Sequence, residues 1–313
     1  MAGTVRKLAA GVVLLAIAGG AAFWLLTAPQ RIPDADIAAL PPGDVARGER
    51  MFYAAGCASC HRAAQADPAQ PPQLAGGVRL VTEFGTFVAP NISQHPSDGI
   101  GAWSLADLAN AMQKGVSPDG RHYYPAFPYT SYARMKLADI ADLYAFLKTL
   151  PAVEGRAPDH ELGFPFNVSR GIGLWKLINL SPAPVLSIAG ASDEVLAGQY
   201  LVEGPGHCGE CHSPRDLSGG TVKAEWLAGA KAAEGDGIVP NITPQSSSIG
   251  EWSQGDIAEY LKSGFTPDFD SAGGAMAAVV KNTGRLSDQD RAAIAAYLKA
   301  VPGRPNGFPA KAQ

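Results

Sequence analysis

Only Arg6 and Lys7 carry charge among the first thirty positions, and residues 8–28 form an unbroken run of uncharged, mostly apolar side chains. As a helix, such a run is long enough to cross the roughly 30 Å hydrocarbon layer of a bilayer. Its far end is bulky, with Phe23, Trp24, Leu25 and Leu26 where a cleavable signal would carry small residues, so the pattern predicts an anchor that stays on the chain. The two cations hold the start of the run in the cytoplasm and place the remainder across the membrane. Residues 29–43, rich in Pro and Ala, read as a tether.

Beyond the tether the apolar positions recur at helical spacing, and they recur twice. Val45, Gly48, Met51 and Phe52 share one helix face, as do Val195, Gly198, Leu201 and Val202. A second helix is predicted after Ser104 and again after Ser253, with Leu105, Leu108, Ala109 and Met112 answered by Ile257, Tyr260 and Leu261. A third carries Ile140, Leu143, Tyr144 and Leu147, and in the second half Ile294, Tyr297 and Leu298 behind the capping pair Ser287 and Asp290. Both third helices stop at a proline, Pro151 and Pro302. No strand-like alternation of any length appears, so the fold class is all-α.

Shorter matches bind the halves together. Leu74-Ala75-Gly76 answers Leu227-Ala228-Gly229, Pro90-Asn91-Ile92-Ser93 answers Pro240-Asn241-Ile242-Thr243, and Gly101-Ala102-Trp103-Ser104 answers Gly250-Glu251-Trp252-Ser253. The chain divides into an anchor at 1–28, a tether at 29–43, a first domain at 44–151, a linker at 152–192, a second domain at 193–303 and a tail at 304–313. Gly48 and Gly198 fall in the middle of helices, where glycine costs about 1 kcal/mol relative to alanine. Close crossing with the third helix, at Phe146 or Tyr297, is the packing reason they suggest.

Composition changes this picture little. Of 313 residues, 46% are hydrophobic and 17% charged, which suits two domains with cores of their own. The formal net charge is −4 even with the two N-terminal cations counted, so the part beyond the anchor is acidic, and nucleic acid is excluded as a partner.

The chemistry lies in five residues that occur twice, Cys57-Ala58-Ser59-Cys60-His61 and Cys208-Gly209-Glu210-Cys211-His212. In C-x-x-C-H the two thiols add to the vinyl groups of a haem and the histidine binds its iron. A thioredoxin-like pair would need a βαβ setting and no following histidine, and a zinc ribbon would bring its two pairs close together in sequence. Two disulfides are the remaining rival. Against them stand the histidine that ends each motif and the confinement of all four cysteines to the motifs. The reading is two covalently bound haem c groups, held by Cys57, Cys60 and His61 and by Cys208, Cys211 and His212.

Each half resembles a class I cytochrome c domain. The Pro-Asn-Ile-Ser/Thr and Gly-x-Trp-Ser matches, with Tyr123-Tyr124-Pro125-Ala126-Phe127-Pro128-Tyr129, make residues 44 to 303 similar to the cytochrome subunits of bacterial periplasmic alcohol, aldehyde and gluconate dehydrogenases. Those subunits commonly carry three haems, whereas this chain has motifs for two. The resemblance implies two tandem cytochrome c domains behind a single transmembrane helix, set in the bacterial inner membrane with the haem domains in the periplasm. It also implies a periplasmic dehydrogenase as electron donor and a quinone or an oxidase as acceptor.

An iron used only for electron transfer fills its sixth position, usually with methionine or a second histidine. In the second domain Met276, in the loop ahead of the last helix, is the expected ligand, and the resemblance places one there too. Its counterpart in the first domain is Phe127, which cannot bind iron. Met135 is the expected ligand there, with His122, His95 and Met112 as rivals. Asn91, Asn241, Trp103 and Trp252 flank the expected crevice, where side-chain N–H donors would serve haem propionates or the axial sulfur. The plainer reading makes them turn asparagines and core tryptophans. Pro72 and the Leu-Ala-Gly turns are expected to set a carbonyl against the proximal histidine. His207 reads as structural and His160 as a solvated linker residue.

The linker, with Phe164-Pro165-Phe166 and Leu174-Trp175-Lys176-Leu177, reads as a segment packed across both domains. The rival is a partner-binding patch that uses Arg170 and Lys176. The leading function is a membrane-anchored electron carrier. The alternatives are a dihaem enzyme of peroxidase or thiosulfate-oxidising type with one open iron, and a dihaem subunit of a terminal oxidase.

Overall fold

The structure, a computed structural model, describes residues 2–63, 71–232, 237–247 and 249–307. The end of the tail, 308–313, lies outside them. Helix α1 (Ala2–Leu26) has no buried residue and carries no charge from Leu8 onward, as a membrane span requires. At about 1.5 Å per residue it exceeds the hydrocarbon thickness.

The tether is docked rather than loose. It contains the short helix α2 (Asp34–Ala38), Arg31 donates to the carbonyls of Ser117 and Pro118, and the Ile32 amide donates to the Asn110 side chain at 2.8 Å. Ile32 itself is buried. Composition showed a Pro- and Ala-rich stretch; it could not show that one of its few large side chains finds a pocket.

The first domain comprises α3 (Val45–Ala54), α4 (Cys57–His61), α5 (Leu105–Ala109), α6 (Tyr129–Tyr132) and α7 (Leu137–Leu147). A π-turn over Asn110–Lys114 extends α5. The second comprises α9 (Asp193–Glu203), α10 (Gly209–His212), α11 (Gln254–Ser263), α12 (Gly274–Thr283) and α13 (Asp288–Ala300). Helix α8 (Ile172–Asn179) lies in the linker between them. Local chemistry sets the boundaries. Ser104 and Ser253 form capping boxes with Asp107 and Asp256, Asp44, Ser192 and Ser287 cap three more helices, and Gly115 and Gly264 end theirs at positive φ.

In each half the first helix crosses the last, α3 on α7 and α9 on α13, and Phe52, Leu143 and Phe146 in one core match Val202, Ile294 and Tyr297 in the other. The crossing is backbone-close because of the two mid-helix glycines. A Cβ on Gly48 would stand 2.0 Å from the Asp142 carbonyl oxygen, and one on Gly198 would stand 1.8 Å from that of Ala293. Phe146 and Tyr297 lie against the same glycines, so the packing reason read from the pattern holds.

Two features were not legible in the pattern. Residues 274–283 form helix α12, not a loop; the first seven are Gly, Ala and Val around Met276 and show no clear amphipathic face. A little sheet also accompanies the helices: β1 (Arg79–Thr82), β2 (Gly85–Val88) and β3 (Glu161–Leu162) pair antiparallel, as do β4 (Ala230–Lys231) and β5 (Ile238–Val239). Strands of two to four residues are too short to show alternation.

The linker packs across both domains and carries its charge inward. Lys176 is buried, donating to the carbonyls of Lys114 and Gly115 at 2.7 and 2.6 Å and standing 4.7 Å from the centre of the Tyr129 ring. Arg170 stacks on Trp24, 4.1 Å from the ring centre, and donates to Trp24 O and Thr27 Oγ1. Neither cation is free to meet a partner, which removes the charged half of the patch reading. Leu174, Leu177 and Ile178 face outward on α8, beside the end of the membrane span.

Candidate haem centres

Helices α4 and α10 are single turns, and each sets its two thiols and the following histidine on one short rigid element. Gly56 enters the first turn at φ 58° and His207 enters the second at φ 39°, left-handed backbone that swings the chain sharply out of α3 and α9. A Cβ on Gly209 would strike the Trp226 ring at 1.9 Å, so the second turn lies flat on that indole. Burial pushes the Cys57 and Cys208 thiols up to about 12 and keeps them neutral.

The proximal histidines are held alike. His61 Nδ1 lies 2.8 Å from Pro90 O, and His212 Nδ1 lies 2.8 Å from Pro240 O. Donation to a carbonyl fixes the tautomer, leaves Nε2 with a free lone pair and raises its basicity. Burial lowers both imidazole pKa values, against a smaller upward pull from the carbonyl, so the rings are neutral. Paired thiols, a neutral imidazole and an oriented Nε2 are the donor set a c-type haem requires. The carbonyls come from the Pro-Asn-Ile loops and not from Pro72. The Leu-Ala-Gly turns do related work, since the amides of Gly76 and Gly229 donate to the carbonyls of His61 and His212 at 2.8 and 2.7 Å.

The two asparagines are corrected. Asn91 spends its amide N–H groups on Val153 O and Gly155 O, both at 2.8 Å, while its oxygen accepts from Ser93 N. Asn241 donates to Arg304 O at 2.8 Å and to the Asn306 side chain, and accepts from Thr243. Both are buried staples that fasten the proximal loop to the segment after the last helix, with nothing left to offer a propionate. Trp103 and Trp252 are half-buried against their cores, and no protein acceptor for either indole N–H occurs among the described residues.

The internal repeat relates the axial candidates of the two halves. The bridge between Val116 and His122 has its twin between Phe265 and Ser271, and carrying this register forward places Phe127 opposite Met276. Met276 sits in the first turn of α12, partly buried against the core. The Met135 amide donates to Tyr132 O just as the Leu286 amide donates to Thr283 O, and each residue directly precedes the N-cap of its last helix, so Met135 stands where the second half has a core leucine. It is 2% exposed, its Cγ lies beside Gly204, and its carbonyl accepts from Gln113 at 2.6 Å. His122 is also spent, with Nε2 on Thr27 O at 2.8 Å and Nδ1 3.0 Å from Lys176 Nζ.

Contacts that the motifs could not announce join the two centres. Glu210, inside the second motif, accepts from Thr130 and Ser131 of α6 at 2.8 and 2.7 Å and pairs with Arg215 at 2.5 Å. Conversely Asn282 of α12 donates to Ser59, inside the first motif, at 2.9 Å. Each attachment turn is therefore bonded to the segment ahead of the last helix of the other domain. Arg50 of α3 makes a forked pair with Asp290 at the start of α13, and Tyr200 of α9 bonds Asp139 at the start of α7. His207 Nε2 lies 3.2 Å from Ala55 O, with its ring edge-on to Tyr132. Only the polarity of the two x positions, Ser59 and Glu210, hinted at this.

Residues 45–151 and 195–302 each match the cytochrome c family. The chain belongs to that family. It is 54% identical over 297 residues to a dihaem cytochrome c-type protein of Cereibacter sphaeroides, covering 95% of this chain and 98% of the relative. It is 36% identical to the cytochrome c subunit of the quinone alcohol dehydrogenase of Gluconobacter oxydans, and 35% identical to the cytochrome subunit of the fructose dehydrogenase of Gluconobacter japonicus. Those matches cover 96% and 83% of this chain but only 61% and 53% of the subunits, so the cytochrome c spans little more than half their length. It carries two covalently bound haem c groups.

Proposed function

We propose that this cytochrome c is a membrane-anchored electron carrier that receives electrons from a periplasmic dehydrogenase and passes them to the respiratory chain, to a quinone or an oxidase. The observation that carries the reading is the reciprocal bonding of the two attachment turns, Glu210 to α6 and Ser59 to α12, which brings two redox groups to one interface within one chain. Each bound haem supplies a reversible one-electron exchange at iron. Cys57 and Cys60, and Cys208 and Cys211, hold the groups covalently. His61 and His212 present an oriented, neutral Nε2, and Met276 offers a thioether sulfur to the second iron. The forked Arg50–Asp290 pair and the buried Glu210 fix the distance between the centres, so nothing must rearrange when charge moves.

Helix α1 supports a location at the inner membrane with both domains outside the cytoplasm. The dehydrogenase partner is supported by the relatives that are named cytochrome subunits of such enzymes. The test is respiration by membranes from a strain that lacks the chain. Oxygen uptake driven by one substrate class, among alcohols, aldehydes and sugar acids, is expected to be lost, while the dehydrogenase itself keeps its activity with an artificial dye. The wild-type chain restores uptake, and a chain with Cys57→Ser and Cys208→Ser does not. Unchanged uptake on every substrate refutes the proposal.

A further inference from the structure

A helix on the surface of a water-soluble protein turns its charges out and its large apolar side chains in. Helix α8 does the reverse. Leu174, Leu177 and Ile178 share its outward face, Ile178 with 80% of its surface exposed, while Lys176 on the opposite face is buried. Residues 162–192 carry only two charges, Arg170 and Lys176, and both are turned inward, one onto Trp24 and Thr27 and the other onto the carbonyls of Lys114 and Gly115. The loop ahead of α8 adds Phe164, Phe166 and Val168, all exposed. The apolar surface continues beyond the linker. Phe166 meets Phe84 at a centroid distance of 5.1 Å, Trp175 Nε1 donates to Ser218 O at 2.9 Å, and beside Ser218 the side chain of Leu217 is fully exposed.

What covers this face follows from where α8 begins. A Cβ on Gly173 would stand 2.7 Å from Thr27 Cα, so α8 lies backbone-close on the residue that follows the end of α1. Arg170 fastens the same corner by its bonds to Trp24 O and Thr27 Oγ1. The charge-free part of α1, Leu8 to Leu26, is 19 residues. As a helix it rises about 28 Å, which matches the hydrocarbon layer of a bilayer. Thr27 therefore stands at the edge of that layer, and α8, which touches it, starts at the level of the headgroups. Trp24, stacked under the Arg170 guanidinium, is a side chain suited to that boundary.

We propose that the outward face of α8 is a second membrane contact, lying in the leaflet at which α1 ends, with Leu174, Leu177 and Ile178 among the acyl chains and Phe164 and Phe166 beside them. A short helix with one continuous apolar face binds such an interface in the plane of the membrane. The occupant is lipid and not a partner protein, because the face starts at the anchor itself and the two cations that a protein could pair with are spent on this chain. The contact rests on α1 being a membrane span and deepens that reading. Helix α8 also grips the first domain, through Lys176 and through Trp175, whose ring stands edge-on to Tyr129 at 6.4 Å. A second contact therefore fixes which side of the first domain faces the bilayer.

The test uses the full, unaltered chain in phosphatidylcholine vesicles that include a phosphatidylcholine with a photoactivatable diazirine on its acyl chain. After irradiation and proteolysis, mass spectrometry locates the lipid adducts. Adducts are expected in α1 and in the peptide that holds Leu174, Leu177 and Ile178. Combining Leu177→Glu with Ile178→Glu should remove the adducts from α8 while those in α1 remain. Both side chains are exposed, so the variant should keep the wild-type haem content, which separates a lost contact from a lost fold. Adducts in α1 without any in α8 overturn the proposal and leave the anchor standing, as does a double variant tagged on α8 like the wild type. Adducts in neither helix sink the anchor reading and take the proposal with it.

Discussion

Replacing Glu210 by Gln perturbs the link between the two centres at its most informative point. The carboxylate is 12% exposed and receives Thr130 and Ser131 from the first domain and Arg215 from its own. Burial alone would raise its pKa, but Arg215 and the two hydroxyls outweigh that and hold it below the ordinary value of 4.5. Glutamine keeps the shape and one acceptor oxygen, loses the charge, and turns an N–H towards the guanidinium. Hydrogen bonds to a charged group are worth about 1.5–3 kcal/mol each, and one of the three is lost outright while two are weakened, so a loss of about 2–3 kcal/mol is expected at pH 7. The sign with pH follows from the lowered pKa. The carboxylate's contribution is fully present above 4.5, the unfolded value, and disappears as pH falls through the lower folded value. Guanidinium unfolding of both chains in the same detergent, followed through haem absorbance, should show the full gap at pH 7 and a shrinking one below 4.5. An equal gap at both ends, or none at neutral pH, would refute the assignment of Glu210 as the charged staple.

Other substitutions test separate parts of the account. Gly198→Ala and Gly48→Ala force a methyl against a carbonyl oxygen, and each should lower stability by about 1–3 kcal/mol, read as a fall in the unfolding midpoint, whereas Gly255→Ala, exposed near the start of α11, should change it little. Arg50→Ala breaks a partly exposed forked pair and should cost about 1 kcal/mol, a loss that 1 M salt reproduces in part in the wild-type chain. Replacing Leu14 and Ile17 together with Arg should move the protein from the membrane pellet to the soluble fraction after cell disruption, and retention in the pellet would mean that α1 is not what holds it there.

Much of this architecture can be read from the chain because the chain states it twice. The attachment motifs, the helix-cap serines and the two crossing glycines each have a local physical cause, and the repeat confirms each by its twin. What escaped is what depends on a distant partner. Periodicity shows that a helix has a buried face without showing what lies against it, so nothing about Glu210, Ser59 or Arg50 announced a bond across domains. Lys176 misleads for the same reason, since a lysine beside leucines in a linker looks like surface until the carbonyls of Lys114 and Gly115 are found around its ammonium. Asn91 was expected over the haem because it recurs near the motif, but a staple recurs just as faithfully. Met135, a methionine ahead of the last helix, stands where the second domain has Leu286, an equivalence that only a residue-by-residue comparison of the halves brings out.

The central claim, that both haems of this chain accept electrons from a dehydrogenase, is tested most directly by rapid mixing. The tagged chain is captured from native membranes with the dehydrogenase that accompanies it, oxidised, and mixed with that enzyme's substrate while haem absorbance is followed. The account predicts that substrate reduces both haems within the enzyme's turnover time, and that Arg50→Ala with Glu210→Gln slows the second phase without slowing the first. Haem that stays oxidised under substrate, although dithionite reduces it at once, would contradict the account.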